Sequence, residues 1–376
     1  MRILTVSDSD SYLKWVVSTF EDAPADWRVR HLVLENVIAP SPAQVAAVQG
    51  GYPIQRGSVR RLLALAAERP EVIVLACTGP ALEVALSVLA AGGALRPHPG
   101  RPRPVLVGGL PGISYPANDL AIRHRRHLDL MLLHSHREMA AYAEVVQRLR
   151  AAGESGPELA LATLPYLREV AVGRGGSDVV FAAQSLVPAL REDRVRVLDA
   201  LAAVPPELNP VVKIRAVGGE RQAHNEAYPY AELWQQRPRA GRREVEFRAG
   251  RMADALAEAY GFATVSSTAA IEAIAARVPL LILGDFGVGA EQINLVFADS
   301  GLVGDLDDLR TASFRHPEPD WLQQNYLHDP SENTWRGRLA ALVATREELP
   351  PVRFRGFGSV PRRTRRFLRL VPRRPG

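Results

Sequence analysis

Cysteine and lysine are scarce in this 376-residue chain, and no apolar run is long enough and unbroken enough to span a membrane. Cys77 is the only cysteine, which excludes an intramolecular disulfide and a thiolate cluster of the zinc-finger kind and agrees with a reducing compartment. The nine histidines include His124, His127, His134 and His136, but their spacing matches no H-E-x-x-H helix or other familiar ligand set, so no bound metal is expected. Residues 72–95 carry a single charge, Glu83. Gly79-Pro80 divides that stretch into a buried strand and a helix, because proline is tolerated only in the first turn of a helix. The opening Met1-Arg2-Ile3-Leu4-Thr5-Val6-Ser7 reads as a short strand, not as a secretory leader, and a cytoplasmic protein is expected.

Acid is also absent from one place. Residues 353–376 hold nine arginines and no Asp or Glu, and without those arginines the net charge of +5 becomes −4. A tail of this kind suits the anionic inner face of a membrane, or equally a solvated, disordered end. The rest of the chain has no basic stripe interleaved with aromatics, so nucleic acid is not an expected partner.

What is present in quantity is alternation. Apolar strands at 3–6, 28–34, 72–76, 105–107 and 130–134 are separated by helical patterns at 12–20, 59–68, 81–91 and 138–150. A small, polar, turn-rich segment at 151–157 marks a boundary. Alternation then resumes with strands at 179–183, 211–214, 263–265 and 280–283 and helices at 190–203, 251–260 and 268–276. The pattern predicts an α/β chain of two mostly parallel-sheet, Rossmann-like domains, 1–155 and 156–345, with a basic tail at 346–376. Ligands in such sheets gather beyond the carboxyl ends of the strands, so the two halves are expected to face each other across a cleft.

Four segments carry candidate chemistry. Residues 262–284 read as strand, hydroxyl-rich turn, helix, strand. Ser266, Ser267 and Thr268 at the turn would point amides and hydroxyls at an anion, and Glu272 one turn later could receive a ribose. Locally, capping serines and a solvated Glu272 fit as well. Asp8 and Asp10, in Ser7-Asp8-Ser9-Asp10-Ser11, fit either a general base or a helix cap. Lys213, Arg215 and Arg221 follow an apolar strand and could offset phosphate charge, or be ordinary solvated cations; His224, Tyr228 and Tyr230 come next. His134-Ser135-His136-Arg137-Glu138 ends a strand and opens a helix, with His136 or Glu138 available to a site. Gly108, Gly109 and Gly112 do not make a G-x-G-x-x-G fingerprint, which argues against a dinucleotide-dependent dehydrogenase, and no G-x-S-x-G elbow supports a serine hydrolase.

Together, residues 7–15, 108–116, Asp129, 134–138, 211–215 and 266–268 with Glu272 resemble a GT-B glycosyltransferase. The likeness is narrower with an actinobacterial family of glycosyltransferase-like proteins related to capsule polysaccharide enzymes, and it extends over most of residues 1–350. Capsule-type enzymes that use CMP-activated sugars carry a lysine and a His-Pro pair after one strand and a Ser-Ser turn after a later one. This chain keeps Lys213 and the serines, but has Arg215-Ala216 in place of His-Pro and Gln184-Ser185 in place of a frequent Gln-Pro. The resemblance implies a metal-independent transferase without a cofactor, the nucleotide-sugar (CMP- or UDP-sugar) being a substrate. It implies that Ser266, Ser267, Thr268 and Glu272 hold the donor and that Gln292 and Asn294 close over it. Lys213 and Arg215 would offset leaving-group charge, and Asp8 or Asp10 would deprotonate a glycan or lipid-linked acceptor. A sugar-nucleotide 2-epimerase, or a non-catalytic nucleotide-sugar-binding scaffold, shares the same architecture.

Overall fold

The computed structural model describes residues 1–48, 53–167, 170–214, 226–238 and 243–352. The chain divides into two compact units: Met1–Pro165 together with the chain from Asp329 onward, and Tyr166–His328.

In unit 1 the strands are β1 (Arg2–Ser7), β2 (Arg28–Leu34), β3 (Ile54–Gly57), β4 (Val72–Ala76), β5 (Val105–Gly109), β6 (Leu130–Leu133) and β7 (Glu158–Leu161). Between them run α1 (Asp10–Phe20), α2 (Pro42–Val48), α3 (Val59–Ala67), α4 (Gly79–Ala91), α5 (Asp119–Arg125) and α6 (His136–Ala151). The strands form one parallel sheet in the order β3-β2-β1-β4-β5-β6-β7. Every residue of β4 and β5 is buried, as expected of central parallel strands covered on both faces. β1 buries all but Arg2.

Unit 2 repeats the plan. β8 (Asp178–Ala182), β9 (Asn209–Lys213), β10 (Glu246–Arg248), β11 (Ala259–Thr264), β12 (Leu280–Leu283) and β13 (Val303–Gly304) are joined by α7 (Arg191–Ala202), α8 (Tyr230–Gln235), α9 (Met252–Ala257) and α10 (Ala269–Ala275). α11 (Leu306–Arg310) and α12 (Pro319–Gln324) complete the unit. The sheet order is β10-β9-β8-β11-β12-β13, again parallel throughout. In both sheets the first strand lies at the middle, and the chain builds outward first on one side and then on the other. A switch point therefore falls between β1 and β4 in unit 1 and between β8 and β11 in unit 2, the places where an open α/β sheet leaves a crevice at its carboxyl edge.

The closing helix α13 (Trp335–Ala344) belongs with unit 1, where Trp335 packs edge-on against Phe20 (5.7 Å) and Trp27 (6.2 Å). The sequence pattern places residues through 345 in the second half. The same pattern leaves the last helix free to cross back to the first half, and the chain from Asp329 onward clusters with Met1–Pro165. The pattern also extends a helix through Tyr260, whereas β11 begins at Ala259. Among the described residues no helix is long and apolar enough to cross a membrane.

One buried histidine makes unit 1 sensitive to acid. His31 on β2 is 1% exposed, its Nδ1 lies 2.7 Å from Thr5 Oγ1 on β1, and burial lowers its pKa from 6.5 to about 4. The unfolded chain thus takes up this proton at a higher pH than the folded chain does. The stability contribution is complete above the ordinary value and is lost as pH falls toward the folded value, by about 3 kcal/mol in full. Urea midpoints at about pH 7 and pH 5 should show wild type losing about 2 kcal/mol more than His31→Asn; equal losses would contradict this.

Candidate functional site

The carboxyl edge of unit 2 is built from the pairing of β8 with β11. Their register matches Phe181 with Ala263, so the chain beyond each strand emerges side by side at Gln184 and Ser266. The Gln184 amide spans the switch point: its Oε1 accepts from Ser266 N at 2.8 Å and its Nε2 donates to Ser266 Oγ at 2.8 Å. Thr264 Oγ1 donates to the Ala182 carbonyl at 3.1 Å and accepts from Ser267 N at 3.3 Å, while Ser267 Oγ accepts from Ala269 N at 3.2 Å. The corner is therefore a rigid set of amides and hydroxyls closed by a neutral side chain.

Behind it, Arg194 on α7 is 1% exposed, and its guanidinium fixes two loops at once. It donates to the carbonyls of Gln184 (3.2 Å), Ser185 (2.8 Å), Pro188 (2.9 Å) and Tyr228 (2.9 Å), pairs with Glu226, and lies 5.0 Å from the Tyr230 ring centroid. A buried guanidinium needs such a complete set of acceptors, and here they are mostly loop carbonyls. Arg194 thus holds the strand-end loop that carries Gln184.

Unit 1 has the matching corner with different chemistry. The register of β1 on β4, Ser7 opposite Ala76, sets Asp8 beside Thr78. Both Asp8 oxygens lie 3.2 Å from Thr78 N, and Asp8 Oδ2 also accepts from Thr78 Oγ1. Asp8 is fully buried; burial pushes its carboxyl up, and the hydrogen bonds from Thr78 and Ser9 oppose that rise. Arg125 of α5 holds the other side of the Cys77–Thr78 peptide, donating to the Cys77 carbonyl at 3.0 Å and to Tyr12 Oη at 2.7 Å. A Cβ on Gly79 would lie 2.2 Å from the His124 ring, so α5 also roofs the start of α4.

Further along the same edge, Trp15 Nε1 donates to His134 Nε2 at 2.8 Å, which makes Nε2 an acceptor and leaves the proton on Nδ1, 2.9 Å from the Ala162 carbonyl. Gly109 is required there, since a Cβ would sit 2.5 Å from the Trp15 ring. Glu138 is buried and accepts from Ser114 N at 2.8 Å and His134 N at 3.0 Å, tying the 110–116 loop to β6.

The sequence-derived residues fall into distinct places. Ser266 and Ser267 are buried and the donors expected to await an anion are partnered within the corner; Ala269, not Ser266, opens α10, which has seven residues. Thr268 makes no capping hydrogen bond, and Thr268 and Glu272 are each half-buried. Lys213 ends β9 as expected but is buried, its Nζ donating to the carbonyls of Gly250 (2.7 Å) and Ile214 (3.2 Å). Asn294 closes its own loop instead of reaching outward: it accepts from Gly289 N at 2.9 Å and donates to the Gly287 carbonyl at 3.1 Å. Gln292 is half-buried against that loop, near Gly287.

On unit 1, Asp10 is the first residue of α1. One of its oxygens pairs with Lys14 Nζ at 2.7 Å and the other, Oδ1, is buried without a hydrogen-bond partner among the described residues. His136 is half-buried and lies 2.8 Å from Glu332. Arg215, Arg221, His224 and the basic tail at 353–376 lie outside the described residues.

Sequence reasoning missed Arg194, Arg125 and Thr78. The arginines were hidden by the abundance of their type, and Thr78 by its separation of 70 positions from Asp8.

A family model described as "Putative glycosyltransferase (DUF6716)" matches residues 3–342. No curated protein matches the chain. Among solved structures, the chain is similar to Arabidopsis thaliana UGT89C1 complexed with UDP-L-rhamnose (10% identity, TM-score 0.54, covering 92% of this chain and 98% of that one). It is also similar to UDP-GlcNAc 2-epimerase from Methanocaldococcus jannaschii in complex with UDP-GlcNAc and UDP (10%, 0.53, 91% and 99%). A third is UDP-GlcNAc 2-epimerase from Neisseria meningitidis bound to UDP-GlcNAc (8%, 0.51, 92% and 98%). At these identities the likeness is one of fold.

Proposed function

Because this chain belongs to the family described as "Putative glycosyltransferase (DUF6716)" and has a fold of the GT-B type, we propose that it moves a sugar from a nucleotide-activated donor to an acceptor hydroxyl. The donor is a CMP- or UDP-sugar and the acceptor a glycan or lipid-linked glycan of the cell envelope or capsule, reached at the inner face of the membrane through the basic tail. No metal is needed for the phosphate charge.

The observation that carries this reading is the neutral corner at the switch point of unit 2. Gln184 and Thr264 already hold the Ser266 and Ser267 amides, so what the corner offers a phosphate is a fixed surface without negative charge, and not free amide donors. Thr268 and Glu272, half-buried beside it, supply a donor for a phosphate oxygen and an acceptor for a ribose hydroxyl. Lys213, whose Nζ donates to the Gly250 and Ile214 carbonyls, is proposed to add a favourable field at the end of β9. Arg215, which lies outside the described residues, is proposed as a phosphate partner, with Gln292 bordering the donor.

In unit 1, Asp10 is the proposed general base. Its carboxylate, part-exposed and paired with Lys14, takes the proton of the acceptor hydroxyl as that oxygen bonds to the anomeric carbon, and the carbon–phosphate oxygen bond breaks with its electron pair leaving on the nucleotide. His136 is engaged with Glu332 and is proposed to contact the acceptor without moving a proton.

Incubation with CMP- and UDP-sugars separates the readings. Free nucleotide released only when acceptor is supplied is the expected result. Interconversion of the sugar nucleotide alone would replace this proposal with epimerisation, and binding without turnover would replace it with a scaffold role.

A further inference from the structure

The loops that lead into β4, β5 and β6, at the amino edge of unit 1, carry more positive charge than the fold itself uses. Residues 68–71, 92–104 and 126–129 hold three carboxylates, and each is already paired: Glu68 with Arg30, Glu71 with Arg346 at 3.0 Å and Asp129 with Arg103 at 2.7 Å. Arg69, Arg96, Arg101 and Arg126 lie on the same loops, and among the described residues no carboxylate pairs with any of them. The first three are exposed; Arg126 is half-buried, its guanidinium 3.5 Å from the Arg123 carbonyl. Because β4, β5 and β6 are neighbours in the sheet, these arginines line one continuous edge.

A second observation falls at the same edge. Arg103 Nε donates to the Pro350 carbonyl at 2.7 Å, Glu71 holds Arg346, and Val352 packs against the core that includes Ile73, Leu106 and Leu128. The chain therefore enters residues 353–376 from beside the four arginines. That stretch, outside the described residues, holds nine arginines and no Asp or Glu, with Phe354, Phe357, Phe367, Leu368, Leu370 and Val371 set among them.

We propose that the amino edge of unit 1 and the stretch that follows it form one docking face for an anionic lipid bilayer. Each arginine near such a surface raises the partition about fivefold, and phenylalanine and leucine side chains gain an apolar phase at the headgroup boundary. A nucleic acid would match the charge but not the aliphatic content. Docking does not depend on sugar transfer; one consequence does rest on the glycosyltransferase reading. With the amino edge on the lipid, Asp10 beyond the carboxyl end of the six-residue β1 stands about 20 Å above it, so the acceptor is a glycan that extends that far and not a sugar beside the headgroup.

The test is co-sedimentation of the full chain with vesicles of phosphatidylcholine, pure or mixed with phosphatidylglycerol. Wild type should bind only the mixed vesicles and be released by salt. Arg96→Gln with Arg101→Gln, at exposed side chains without ion-pair partners, should leave the thermal midpoint in place and weaken the partition about 10–30-fold. Arg60→Gln with Arg277→Asn is the control. It removes two exposed charges, one from the first turn of α3 at the opposite edge and one from unit 2, where asparagine suits the left-handed backbone (φ 58°), and should bind within about threefold of wild type. No binding by wild type, undiminished binding by the Arg96 and Arg101 pair, or an equal loss in the control would overturn the proposal. Tighter binding to a DNA or RNA duplex than to the mixed vesicles would overturn it in favour of nucleic acid. None of these readouts needs turnover, so a wild type that transfers no sugar sinks the glycosyltransferase reading and leaves docking decided.

Discussion

Asp10→Asn is expected to lower sugar transfer about 10²–10⁴-fold, the range for removing a positioned general base, while nucleotide affinity stays at the wild-type value. The substitution is nearly isosteric. The new amide keeps an oxygen for Lys14, so α1 should keep its start and the thermal midpoint should move little. What disappears is the basicity of the part-exposed Asp10 carboxylate. An acceptor oxygen without its coupled proton acceptor is a poor nucleophile at neutral pH, so the effect should appear in kcat and not in the KM for donor. Comparing Asp10→Asn with Asp8→Asn assigns the base, since the two carboxyls are two positions apart and only one is enclosed by the protein. Full turnover in Asp10→Asn would remove Asp10 from the mechanism.

The second large effect is expected from Gln184→Glu, which gives unit 2 the acidic bridge that unit 1 already has. Glutamate can still accept from Ser266 N, and the Ser266 hydroxyl can turn to donate, so the corner should persist. The added charge would face the donor phosphates at close range. Two like charges about 4 Å apart near a protein surface repel by about 4 kcal/mol, so even half of that weakens nucleotide binding more than about 20-fold. Titration of UDP and CMP by calorimetry reads this directly. Affinity within about threefold of wild type would mean that phosphate does not approach Gln184.

The parallel α/β plan is written in the local pattern of the chain. The fully apolar stretches at Val72–Ala76 and Val105–Gly109 and the one-sided helix α1 predict their own structure, because burial on two faces or on one leaves a periodicity that can be read without knowing the neighbours. Short or polar elements leave no such trace. α5 reads as a basic segment, and α8 and β10 lie in a stretch whose polarity resembles a loop.

The strand ends that carry the two corners were legible as ends, but their partners were not. Asp8 meets Thr78, and Gln184 meets Ser266, only because β1 lies beside β4 and β8 beside β11, a fact of strand order that no local spacing records. The same gap explains why the serines were expected to be open donors. Ser266 and Ser267 carry the right groups for an anion, yet the sequence does not reveal that Gln184 and Thr264 already hold their amides. Lys213 likewise reads as a cation at a strand end, and its burial under the Gly250 carbonyl depends on β10 lying next to β9.

The central claim is that the donor phosphate binds at the neutral corner of unit 2. Calorimetric titration of UDP and CMP into wild type, Asp10→Asn and Gln184→Glu tests it most directly. One nucleotide per chain is expected for wild type and Asp10→Asn with equal affinity, and binding lost or weakened at least about 20-fold in Gln184→Glu. Undiminished binding in Gln184→Glu, or two equivalent nucleotides per wild-type chain, would contradict it.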